Sequence, residues 1–130
     1  MSAILLKKSG FAVTLIEKKQ YPFHKVCGEY ISNEVRPFLE SIGLDINELG
    51  AKNISKFRFT SPSGKALDAP LDLGGFGISR YVIDQQLFLL AKQIGVEFLL
   101  GKSAENIDFN NDEFNVQTTD NEQYIAKLYP

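Results

Sequence analysis

The run Phe11–Glu17 constrains the fold more than any other stretch of the chain. Phe11, Ala12, Val13, Leu15 and Ile16 form a short apolar segment that stops on an acid, Glu17, and a basic loop follows. Directly before it, Ser2 to Ser9 reads as the tail of a helix, with Ala3, Ile4, Leu5 and Leu6 apolar, Lys7 and Lys8 suited to a helix C-terminus, and Gly10 as the stop. A helix, a tight turn and a buried strand make the second half of a βαβ unit, so a parallel sheet is expected.

The acid at the end of that strand carries a chemical implication. In dinucleotide-binding α/β domains a carboxylate at the end of the second strand accepts hydrogen bonds from the adenosine ribose, about 20 residues after a glycine turn that cradles the pyrophosphate. Counting back that far from Glu17 passes Met1, and no Gly-x-Gly-x-x-Gly occurs anywhere in the sequence. The chain is therefore expected to be an internal piece of a longer protein, without the first strand and its glycine turn.

Downstream, the loop Lys18–Gly28 leads to a helix expected from about Glu29 or Ser32 to Ser41, split by Pro37 and ended by Gly43. Ile54–Thr60 and Lys65–Leu71, joined by Pro62-Ser63-Gly64, read as a β-hairpin. Asp72–Gly77 (DLGGFG) has neither phosphate-loop spacing nor a phosphate-loop lysine and reads as a flexible crossover. A helix capped by Ser79 or starting near Tyr81 follows, with Val82, Ile83, Leu87, Leu90, Ala91 and Ile94 on one apolar face and Gly95 at its end. Val96–Leu100 is a buried strand. Ser103–Phe109, Glu113–Thr119 and Gln123–Leu128 form a β-meander joined by Asn/Asp turns.

Composition narrows the function classes. A length of 130 residues with 44% hydrophobic content accommodates one domain. A formal charge of −2, from 14 basic and 16 acidic side chains, offers no net attraction to a nucleic acid. The single cysteine excludes an internal disulfide, and no segment has the length of a membrane span or the pattern of a signal peptide, so a cytoplasmic setting is expected. His24 and Cys27 supply only two of the four ligands of a structural zinc site, so no metal is expected. The same pair lacks the oxyanion hole a nucleophilic dyad needs.

Two further runs carry a family likeness. Tyr21-Pro22-Phe23 precedes Lys25-Val26-Cys27-Gly28-Glu29, and Arg80-x3-Asp84-x2-Leu87 opens a helix some fifty residues later. In this order the runs resemble the FAD-dependent oxidoreductases of the p-hydroxybenzoate hydroxylase fold, most closely the geranylgeranyl reductase family with its monooxygenase and halogenase relatives. The likeness covers about Ala3 to Ala126. It implies an α/β fold: a single partial FAD/NAD(P)-binding, Rossmann-like domain over residues 1–130, with residues 50–77 as a substrate-side antiparallel hairpin, and a β-meander. It implies that Glu17 binds the adenosine ribose, that Lys18 lies against the adenosine end, that Lys25 approaches the pyrophosphate or ribityl side, and that Arg80 meets the ribityl phosphate. Ala104 would contribute backbone hydrogen bonds near the adenine, and Asp84 would be a structural acid of its helix. Also implied are FAD as cofactor, NAD(P)H as reductant and a small isoprenoid or aromatic substrate; no residue is assigned as catalytic acid or base. Against the family, the chain stops at Pro130, before the later flavin-contacting segment. A fragment inactive alone, with a sheet edge open to self-association, is therefore expected. The competing expectation is a non-catalytic α/β module that binds a partner or regulates one.

Overall fold

Two helix ends dictate where the parallel strands begin. In the computed structural model, which describes residues 1–27 and 29–127, helix α1 (Ser2–Lys8) closes with Gly10 at φ +92°, where the Gly10 amide donates to the Lys7 carbonyl and the Phe11 amide to Leu6. Gly95, at φ +89° after helix α3 (Arg80–Gln93), repeats the arrangement, its amide donating to Lys92 and that of Val96 to Ala91. Both are left-handed glycine caps that satisfy the last carbonyls of a helix and redirect the chain. Each delivers a four-residue strand, β1 (Thr14–Glu17) and β5 (Glu97–Leu100), and the two pair in parallel from Thr14↔Glu97 to Glu17↔Leu100. The cap and the residues after it occupy Phe11–Val13, so β1 starts three residues later than the apolar run predicts.

The chain divides into two compact units, one of Met1 and Pro22–Leu90, the other of Ser2–Tyr21 and Ala91–Pro130. The second unit holds the β1–β5 pair and the meander of β6 (Ala104–Asn110), β7 (Glu113–Thr118) and β8 (Gln123–Lys127), in that spatial order and antiparallel throughout. Asn111 and Asp112 both adopt positive φ between β6 and β7, the geometry of a two-residue hairpin turn. The meander is thus as expected, except that Leu128 lies outside the described residues, as does Gly28 of the Lys-Val-Cys-Gly run.

The first unit is a three-stranded antiparallel sheet in the order β2 (Tyr30–Ser32), β4 (Ala66–Gly77), β3 (Lys52–Thr60). Leu39, Ile42, Leu44, Ile46, Phe76 and Ile78 are buried. Arg36 ties the unit's segments together: its guanidinium lies 5.3 Å from the Phe76 ring and donates to Asn47 Oδ1 (3.1 Å) and Asn53 Oδ1 (3.2 Å).

Two expectations are corrected here. The stretch from Glu29 begins as strand β2, and the helical part follows as a 3-10 turn (Asn33–Val35) capped by Ser32 and a short helix α2 (Arg36–Ser41). Pro37 falls in the first turn of α2, where its missing N–H costs no hydrogen bond. Asp72–Gly77 is also no flexible crossover, because β4 continues through it to Gly77. Leu71–Gly74 bulge out opposite Ser55, and Asn33 Nδ2 and Tyr30 Oη bind the carbonyls of Leu73 (2.9 Å) and Gly74 (3.1 Å). The glycines serve close approach: a Cβ on Gly75 would lie 2.4 Å from the Tyr30 ring and 2.6 Å from the Ile31 carbonyl oxygen.

Gly75→Ala is accordingly expected to push β2 off β4 and destabilise the protein by about 1–3 kcal/mol. Urea unfolding measures this; a change below about 0.5 kcal/mol would show that the Tyr30 contact yields at no cost.

Candidate functional site

The carboxyl ends of parallel strands are where open α/β sheets place their ligands, and an open cleft of about 420 Å³ lies at that end of β1. Ile16, Glu17, Lys18, Lys102, Ser103 and Ala104 line it. Glu17 closes the strand pair, since its carbonyl accepts the Gly101 amide at 2.8 Å. Its side chain turns back on the following loop, where Oε1 accepts the Lys19 amide at 3.0 Å. The other carboxylate oxygen has no partner among the described residues. A half-buried carboxylate with one oxygen fixed and one open is suited to accept a hydroxyl. Lys18 is exposed, and Ala104 is the first residue of the edge strand β6.

Opposite Glu17 stands a group that the sequence reading missed. Lys102 is ion-paired to Asp120 (2.8 Å) and Glu122, and it also donates to Tyr124 Oη (3.2 Å). Hydrogen bonds from Lys102 first, then from Thr118, hold the Asp120 carboxyl down at about 2, while Asp120 and then Glu122 raise the Lys102 ammonium. Thr118, fully buried, anchors the turn: its hydroxyl donates to Asp120 Oδ1 at 2.5 Å, and its amide donates to the Glu122 carbonyl at 3.0 Å. Lys102 therefore enters the cleft with its charge already offset by two carboxylates. One signal in the sequence pointed to it, a cation just past the glycine that ends a buried strand; its acidic partners emerge only from the meander register.

Lys25 and Arg80 belong to the first unit and meet at Asp84. Arg80 forks onto Asp84 through Nε (3.0 Å) and Nη2 (2.8 Å), which raises the guanidinium further above its ordinary value. Lys25 approaches the same carboxylate at 3.6 Å and lies 4.7 Å from the Phe23 ring. His24 stacks on Tyr81 with ring centroids 4.7 Å apart, and Ser79 caps α3 through the Tyr81 amide (3.2 Å). One mostly buried carboxylate thus holds two cations from segments 55 residues apart, with a net charge of +1 on the cluster. Cys27 is exposed beside it. Among the described residues no group of three or more His, Cys, Asp or Glu side chains could hold a metal ion, and no helix is long and apolar enough to cross a membrane.

No protein-family model matches the chain. A curated relative, conditioned medium factor receptor 1 of Dictyostelium discoideum, is 25% identical over 95% of this chain and 27% of its own length. Among solved structures, the halogenase PltM superposes with a TM-score of 0.75 at 22% identity, over 96% of this chain and 30% of PltM. PltM has also been solved with phloroglucinol and FAD. The flavin-dependent brominase Bmp2 superposes with a TM-score of 0.74 at 19% identity, over 96% of this chain and 32% of Bmp2. The chain thus spans about a third or less of these relatives. Its fold is α/β, the FAD-binding, Rossmann-like arrangement of these flavoproteins, with an antiparallel hairpin and a β-meander.

The Lys102 cluster predicts an acid limit. A carboxyl held below its ordinary 3.8 contributes stability above that value and loses it as the pH falls through about 2. Carboxyl carbon shifts followed by NMR should show Asp120 titrating near pH 2, and Lys102→Met should return its midpoint towards the ordinary range; an unchanged midpoint in the variant would assign the depression to Thr118 instead.

Proposed function

We propose that this chain supplies the adenosine-binding part of an FAD-dependent oxidoreductase. The observation that supports this most directly is the open oxygen of Glu17 at the carboxyl end of a parallel strand pair, facing a cleft. The donor set fits the adenosine end of the cofactor: Glu17 accepts ribose hydroxyls, Lys18 lies alongside, and Ala104 offers backbone groups on an edge strand. The cluster of Lys102 with Asp120 and Glu122 leaves that cleft without surplus positive charge, which favours an uncharged diol over a phosphate. Lys25 and Arg80, held by Asp84, are the cations of the first unit for cofactor phosphate, and Asp84 positions them.

When bound, FAD supplies the redox chemistry, with NAD(P)H as reductant and a small isoprenoid or aromatic molecule as substrate in a reductase or monooxygenase of the geranylgeranyl reductase type. The chain acts as one partial domain in this reading, with residues 50–77 on the substrate side and a cytoplasmic setting. The chain's own residues bind and orient the cofactor. A second reading, a partner-binding module without redox chemistry, has one observation in its favour: the curated relative is named a receptor.

Titrating the ¹⁵N-labelled chain with adenosine separates the two. Amide shifts are expected at Ile16–Lys19 and Ser103–Ala104, weaker binding of 2′-deoxyadenosine, and no response there to FMN, which has no adenosine. Glu17→Gln should weaken adenosine binding about tenfold, equivalent to about 1.4 kcal/mol. An unchanged affinity in that variant, or shifts confined to other residues, would favour the partner-binding module.

A further inference from the structure

The strand β3 is hydrogen-bonded on one side only, to β4. No backbone hydrogen bond joins its other side to any described residue. Nine residues at about 3.4 Å each make an open edge about 30 Å long, a length that sheets ordinarily cover, shorten or charge. Strand alternation sorts its side chains. Lys52, Ile54, Lys56 and Arg58 share one face, while Phe57 and Phe59 lie on the other, opposite Ala69 and Leu67 of β4. Phe59 and Leu67 are 66% and 63% exposed. β3 contains no acid. Arg58 is already satisfied by a bidentate pair with Asp68, both bonds at 2.6 Å. Lys52 and Lys56 are exposed and have no ion-pair partner among the described residues.

We propose that the β3 edge receives an extended acidic segment of a partner polypeptide, added to the sheet as a further strand. Main-chain hydrogen bonds along the edge supply the affinity, and alternate side chains supply the selection. Acidic residues of the incoming strand meet Lys52 and Lys56, and its apolar residues cover Phe57 and Phe59. Charge argues against a second copy as the occupant. In an antiparallel pair of β3 strands about a two-fold axis perpendicular to the sheet, each face meets itself, so Lys52, Lys56 and Arg58 would oppose the same set. The lysines that keep the edge from pairing with itself are the ones that select an acidic strand. This inference is independent of the nucleotide reading, which uses no residue of β3.

The test uses the 130-residue chain and a capped synthetic heptapeptide of alternating glutamate and valine, with its lysine–valine counterpart as control. Amide hydrogen exchange by NMR is expected to slow at the β3 amides that do not bond β4. Binding should weaken at least tenfold in the Lys52→Glu/Lys56→Glu variant, whose two sites are exposed and leave the fold intact. It should weaken likewise on raising salt from about 0.05 to about 0.5 M, and the lysine peptide should not protect β3. Any of four results overturns the proposal: no protection of β3, equal binding of the two peptides, peptide binding elsewhere on the chain, or concentration-dependent dimerisation that protects β3 without peptide.

Discussion

The parallel pairing of Thr14–Glu17 with Glu97–Leu100 is the interaction on which the candidate site depends. Its four-residue length leaves little redundancy. It is framed at both ends by backbone hydrogen bonds just outside the strands, Glu97 to the Val13 carbonyl (2.9 Å) and Gly101 to the Glu17 carbonyl (2.8 Å), and Thr14 adds a side-chain bond to Glu97 (3.2 Å). The frame fixes Glu17 at the strand end and carries the chain through Gly101 to Lys102. The acid and the cation of the cleft are therefore set by the same few bonds.

Charge is handled differently in the two units. In the second, a lysine is surrounded by two carboxylates and a phenol, so the cleft gains a long side chain without gaining net charge. In the first, one carboxylate serves two cations and leaves a positive remainder. A carboxylate shared in this way aligns Arg80 and Lys25 without cancelling them, whereas the Lys102 arrangement cancels its cation almost completely. Hydrogen bonds to charged groups are the stronger ones, so in both places geometry is held by bonds that also determine the local field.

Much of the fold was legible in local signals. Gly10 and Gly95 marked helix ends, Ser79 marked a helix start, and the Asn111-Asp112 turn placed the meander, because each rests on backbone chemistry within a few residues. DLGGFG was misread for a physical reason. Glycine density signals freedom when only the chain is visible, yet Gly75 is there because the Tyr30 ring, 45 residues away in sequence, occupies the space a side chain would need. Glu17 and Ala104 were legible as candidate residues through their strand positions, and the structure places both in one cleft. Lys102 with Asp120, Glu122 and Tyr124 was not, since three strands must be in register before those side chains meet. Asp84 was seen as a structural acid; its hold on Lys25 as well as Arg80 required the loop to be placed in space.

The separation along the chain of the paired strands also orders events in folding. Thr14 and Glu97 stand 83 residues apart, whereas the meander and the β3–β4 hairpin close through short turns. Closing a long loop costs more entropy than closing a short one, and contacts remote in sequence form late. The hairpin and the meander can be complete while Glu17 still has no strand beside it. The cleft then comes into being only with the last long-range pairing, so that a ligand which recognises Glu17 recognises a finished second unit and draws the folding equilibrium towards it.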